Sequence, residues 1–156
     1  MGDETDGARD ATSGSGAAGA DGRKRTRIRL LQRYLLNPPV RLMVRAGLVP
    51  NYALVETVGR RSGKRRRTVV GMHIEGTTGW VVAEQGRYAG YVRNLTAHPD
   101  VRVCLRGHWR PARAEPLPDD DAEARLDSFR WTSHAATVRR FGTDLLTIRF
   151  DLEPST

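Results

Sequence analysis

Cysteine is almost absent from this 156-residue chain: Cys104 stands alone, which excludes an internal disulfide. It lies in "VRVCLR" between alternating apolar neighbours, so a buried, inert thiol is expected and not a nucleophile. Long apolar runs are missing too, and none approaches the ~20 residues of a membrane span. The N-terminus is acidic and lacks the apolar stretch of a signal peptide. These absences lead to the expectation of a cytoplasmic chain. Lysine is also scarce, since only Lys24 and Lys64 among 26 bases are lysine. Such an arginine excess follows from GC-rich coding and is discounted as evidence for phosphate binding.

Ready-made catalytic sets are lacking as well. His73, His98, His108 and His134 show no ligand spacing and have no cysteine partner, so no metal site is expected. There is no GxSxG, and no GxGxxG follows a strand, which excludes a Rossmann site. Asp119, Asp120 and Asp121 cluster where a helix N-terminus explains them. An enzyme made of this chain therefore needs a cofactor to carry its chemistry.

What is present is charge, unevenly placed. Residues 1–22 hold five acids and one Arg, residues 23–67 fourteen bases and one acid, and residues 68–156 eleven bases and twelve acids. The basic third implies an anionic partner. Residues 1–22, rich in Gly, Ala, Ser and Asp, have the composition of a disordered tail. Residues 23–48 read as basic amphipathic helices. Ile28, Leu31, Tyr34 and Leu35 recur at helical spacing opposite Arg29 and Arg33, "NPPV" breaks the first helix, and Val40 to Ala46 forms a second. Residues 23–36 can pack on the rest of the domain or lie on an anionic bilayer at the inner face of the membrane; both readings stay open here.

From Tyr52 the texture is that of strands: "YALVETV", "RTVVGMHIE", "WVVAEQ", "VRVCLR", "HWRPARAEPL" and "DLLTIRFDLE". Helices are expected at Tyr88–Ala97, from "PDDDAEARLDSF", and at Ala135–Phe141. Six mostly antiparallel strands with hairpin links and peripheral helices make an α+β domain over residues 49–156, a small β-barrel that closes its edges.

The densest charge lies in "VGRRSGKRRRTVV", with six bases in thirteen residues. "GRRSGK" is no P-loop, because Gly59 and Gly63 bracket three residues instead of four and the next run is a strand. It is a hairpin turn. Its amides, Ser62 and its cations could cradle an anion, or the turn could simply be solvated. No aromatic residue interleaves the bases, so nucleic acid ranks below a small anionic ligand.

Three segments in order, "ALVETVGRRSGKRRRTVV", "GWVVAEQGRYAGYVRNLTAHPDVRV", and a strand pair leading to an acidic helix start, resemble the deazaflavin-dependent nitroreductase and quinone reductase family. The resemblance implies a split β-barrel of the FMN-binding kind. It also implies coenzyme F-420, an 8-hydroxy-5-deazaflavin with a phospholactyl-polyglutamate tail, with FMN as the alternative. By family pattern Gly59, Arg60, Arg61, Ser62, Gly63 and Lys64 line the tail, with Arg66 close by. Thr68 and Val69 lie near the ring, Ala83, Glu84, Gln85 and Gly86 border ring or phosphate, and Asn94 is a cofactor contact.

The chain departs from the pattern where a Ser-Lys-Gly-Gly segment becomes Glu84-Gln85-Gly86-Arg87. It departs again where a Tyr-rich substrate helix becomes one offering Trp131, Ser133, His134 and Phe141. The implied reaction is hydride transfer from the reduced deazaflavin to a quinone-like or other planar acceptor. His134 is the first candidate proton donor, and Tyr91 or Tyr88 the second. A small-molecule acceptor is the expected partner, and a homodimer is compatible with the resemblance. The other function class kept open is a non-catalytic ligand-binding or membrane-associated member.

Overall fold

The computed structural model describes residues 38–154, so the expected tail at 1–22 and the basic helix at 23–36 lie outside the described residues. The first element is helix α1, Pro38–Arg45. It begins before the expected Val40 because proline fits a first turn, where the missing N–H is not needed and φ is already helical. Gly47, at φ 75°, ends it. Val44 is buried, whereas Leu42 and Met43 on the same helix are exposed.

The strands are β1 (Tyr52–Val58), β2 (Arg65–Gly71), β3 (His73–Glu75), β4 (Thr78–Ala83), β5 (Asp100–Leu105), β6 (His108–Leu117) and β7 (Leu146–Leu152). A 3-10 turn, Gly86–Tyr88, and helix α2, Gly90–Ala97, follow β4. Helices α3 (Ala122–Ser128) and α4 (Thr132–Phe141) lie between β6 and β7. As the acidic run predicts, Asp121 caps α3 by accepting the Ala124 N–H at 3.0 Å.

All neighbouring strands are antiparallel, in the order β2-β1-β5-β6-β7-β4-β3. The sequence predicts six strands and seven form, because the run ending at Glu75 breaks at Met72. There the N–H makes the last bond of the β1–β2 register, to the Asn51 carbonyl at 2.9 Å, and from His73 the chain pairs with β4 instead. The two halves of that run become opposite ends of one curled sheet. The expected closure of the edges is therefore incomplete: β2 and β4 face each other across a gap without a hydrogen-bonded ladder. The result is a split barrel.

Three apolar clusters hold it. Inside the curl, Val55, Val81, Leu95, Val103, Ile148 and Phe150 belong to the main core. Outside, α1 covers Leu54, Val69 and Cys104 with Val44. At the far end, α3 and α4 cover Val82 with Leu126, Phe129 and Val138. This two-sided cover explains why β1 is buried along five consecutive residues instead of alternating. Cys104 is free and buried, and burial pushes its thiol up, as expected of an inert thiol. Phe150 is fully buried at the centre of the sheet. Its replacement by Ala is expected to cost about 3–5 kcal/mol, readable by urea denaturation; a loss near zero would mean that this core is not the one described.

Candidate active site

The basic hairpin turn is built by local hydrogen bonds. The Gly59 N–H donates to the Lys64 carbonyl and the Gly63 N–H to the Gly59 carbonyl, both at 2.8 Å. Ser62 Oγ accepts the Lys64 N–H at 3.3 Å. Gly63 has φ 65°, a left-handed conformation that glycine adopts without strain. Asn94, buried on α2, clamps the turn from the side. Its Oδ1 accepts the Arg60 N–H at 3.2 Å, and its Nδ2 donates to Thr57 Oγ1 at 3.3 Å. Asn94 thus anchors the turn to α2, and its amide already has protein partners.

The arginines that follow the turn divide by strand alternation. Arg65 and Arg67 share a face of the sheet with Glu56 and converge on it: Arg65 Nη1 lies 3.0 Å from one carboxylate oxygen and Arg67 Nε 2.8 Å from the other. Arg102, from β5, stands 3.7 Å away on the same carboxylate. Arg67 and Arg102 also lie over the Trp109 ring, at 5.1 and 5.2 Å. Glu56 is only 4% exposed. Burial alone would raise its carboxyl, but hydrogen bonds and charge from Arg67 and Arg65 outweigh that and hold it below the ordinary carboxylate range. Arg66 alternates to the other face, towards Thr57 and Thr68. Among the described residues Arg60, Arg61, Lys64 and Arg66 have no carboxylate partner.

These residues edge an open cleft of about 800 Å³, lined by Gly59, Arg60, Arg61, Ser62, Arg66 and Thr68 together with Tyr91 and Asn94. Tyr91 also lines a second, smaller pocket of about 200 Å³ in the gap between β2 and β4. Val69, Val70, Val81 and Ala83 give this pocket apolar walls, and Tyr52, Glu84, Tyr91, His134 and Thr137 are its polar groups.

Each titratable group in the smaller pocket is shifted towards its neutral form. Burial raises the Glu84 carboxyl and lowers the His134 imidazolium. Burial, then the charge of Glu84, raises the phenols of Tyr52 and Tyr91. The His134 ring stacks on Trp131, with centroids 4.2 Å apart and planes 15° apart, while Tyr52 meets Trp131 edge-on at 4.8 Å. The imidazole lies on the β2 backbone at Gly71, where a Cβ would run into it. Its Nε2 is buried without a partner.

The expected site residues do not all gather here. Thr68 and the turn line the large cleft, and Val69, Ala83, Glu84 and His134 line the small pocket. Gly63, Lys64, Gln85, Gly86, Ser133 and Phe141 line neither. Gly86, at φ 48°, instead packs against the Asp144 backbone. Trp131 supports His134 from behind, and Tyr88 is exposed under Arg93, away from the pocket. Sequence reasoning passed over Tyr52, Thr137, Arg41 and Glu56, all of which the site uses. Glu56 had a visible signal as the one acid among residues 23–67. Tyr52 and Thr137 had none.

A sequence model of the family described as F420H(2)-dependent quinone reductase matches residues 36–153. The chain belongs to that family. Coenzyme F-420 is its cofactor, and the protein is an F-420-dependent oxidoreductase. Among solved structures, one F420-H2 dependent reductase is 22% identical with a TM-score of 0.48, covering 67% of this chain and 95% of its own. A Listeria innocua protein described as a candidate pyridoxamine 5'-phosphate oxidase is 10% identical with a TM-score of 0.50, covering 73% of this chain and 92% of its own. The latter likeness concerns the fold. No match is found among curated proteins.

The residues present fit a deazaflavin coenzyme. The His134 imidazole, its Nε2 without a partner, is part of a pocket with apolar walls, and cations without carboxylate partners stand in the adjoining cleft. A planar ring with an anionic tail matches both halves.

Two outcomes test this geometry. Glu56→Gln should lower stability by about 1–3 kcal/mol at neutral pH, since its arginine partners can turn to water. The folded-state carboxyl is held low, so its contribution is present above the unfolded value and fades as pH falls through the folded one. Chemical denaturation should therefore show the deficit shrinking in acid; a deficit that stays constant would remove the charge clamp. Gly71→Ala should push the imidazole out, so that its NMR titration midpoint moves up towards the free-histidine value. An unchanged midpoint would contradict the close approach.

Proposed function

We propose that this chain catalyses hydride transfer from reduced F-420 to a quinone-like or other planar organic acceptor. The observation that carries the reading is the join, at Tyr91, of a small apolar-walled pocket and a cationic cleft. Arg60, Arg61, Ser62 and Arg66 would hold the phosphate and carboxylates of the tail, the amides of the turn adding donors. The coenzyme, when bound, supplies the hydride.

The chain's own contribution is placement, exclusion of water and proton handling. Val70, Val81 and Ala83 make a dry wall for a stacked ring pair. Gly71 lets His134 approach the strand, and stacking on Trp131 fixes its plane. Shifted towards its neutral form, the His134 ring can donate a hydrogen bond towards a quinone oxygen, the proton that completes the reduction coming from solvent. The Tyr91 phenol, held protonated by burial and by Glu84, can donate a hydrogen bond there.

Binding of F-420, followed by quenching of its fluorescence, tests the assignment. Arg60→Ala combined with Arg61→Ala should weaken F-420 by roughly a hundredfold, about 1.5 kcal/mol for each charge-assisted contact. A deazaflavin without the phosphate tail should lose less than about threefold. Equal losses for the two ligands would sink the tail assignment.

A further inference from the structure

Glu84 is out of keeping with its surroundings. The protein carries 26 bases, and three arginines gather on Glu56, yet among the described residues no Lys or Arg pairs with the Glu84 carboxyl. The group lines the small pocket from the end of β4 and is half-buried there. Its main chain is pinned, because the Glu84 carbonyl accepts the Thr143 N–H at 2.9 Å and the Asp144 N–H at 3.4 Å. The Glu84 backbone is therefore fixed beside the pocket, and no Lys or Arg among the described residues neutralises the side chain.

The groups around the pocket come from every packed element: Tyr52 on β1, Tyr91 on α2, His134 on α4, and Asp144 before β7. Asp144 is turned towards Arg87, at 3.8 Å. Burial shifts both phenols and the His134 imidazole towards their neutral forms. Glu84 is the one carboxyl among the residues that line the pocket.

We propose that Glu84 is a specificity-determining residue that gates the small pocket by charge, admitting a planar ring when protonated and repelling an anionic ring when ionised. The proposal rests on the ring occupying this pocket. A protonated carboxyl can donate to a ring carbonyl, whereas a carboxylate offers only acceptors. The ligand expected here carries a phenol-type hydroxyl conjugated with ring carbonyls, which makes its ring an acid. Two negative charges in a pocket walled by valines are costly. Burial raises the carboxyl, so the gate acts above the ordinary carboxylate range.

The test measures Kd for F-420 on wild type and Glu84→Gln between about pH 5 and pH 8, and reads the ratio of the two constants, which cancels the ring's own titration. The ratio of wild-type to variant Kd is expected to rise with pH, by at least about tenfold between the two ends. A ratio that stays constant overturns the gate while leaving the ring assignment in place. Failure of both proteins to bind at any pH overturns the ring assignment, and the gate with it. A ligand-free readout stands beside these: carbon-detected NMR titration of the Glu84 carboxyl in the wild-type protein. Its midpoint should lie above the ordinary glutamate value of about 4.3, and a midpoint at or below it overturns the proposal whether or not the variant folds.

Discussion

The hydrogen bond from the Met72 N–H to the Asn51 carbonyl marks the place on which the rest of the architecture depends. A β-branched run that could have continued as one strand turns there and supplies both ends of the sheet. Curling brings those ends together without pairing them. The gap between β2 and β4 is the small pocket, so the imperfection in the barrel is also its binding feature. A fully hydrogen-bonded barrel of this size would have filled its interior with side chains and left no room for a planar ring.

Electrostatic work is divided along the same strand. Alternation turns Arg65 and Arg67 to the face where Glu56 and Trp109 receive them and turns Arg66 to the other; all three line the cleft, but among the described residues Arg66 does so without a carboxylate partner. Without Glu56, six adjacent bases would repel one another around a tight turn. With it, part of the charge serves the fold, and the remainder stays available to an anion. The cationic cleft and the apolar-walled pocket then meet within one side chain, Tyr91. An F-420-dependent reductase has use for both, since tail and ring make opposite demands on their surroundings.

Much of the fold was legible in sequence. β1 and β6 occupy the residues that their alternation marks, "GRRSGK" is the hairpin turn its composition suggests, and the acidic run caps α3. The break at Met72 was not legible, because "RTVVGMHIE" contains no proline and no turn dipeptide. The break falls where pairing passes from β1 to β4, and that depends on strands the run itself does not contain. Within the site, Gly59, Arg60, Arg61, Ser62, Thr68, Glu84, Tyr91 and His134 line one or other of the two cavities. Gln85 and Gly86 do not, since the positive φ of Gly86 packs that short loop against Asp144.

Residue type and spacing by themselves determined the antiparallel β architecture, the location of the basic turn, and the exclusion of a P-loop, because these depend on contacts between near neighbours in the chain. Tertiary structure alone decided which arginines are engaged and which remain for a ligand, and that Asn94 braces the turn. It also decided that Glu84, His134 and two tyrosines share one apolar-walled space. Those outcomes follow from the curl of the sheet, which brings β1, β2, β4, α2 and α4 to one opening. Burial there sets the charge of each group, and burial is a property of the folded chain.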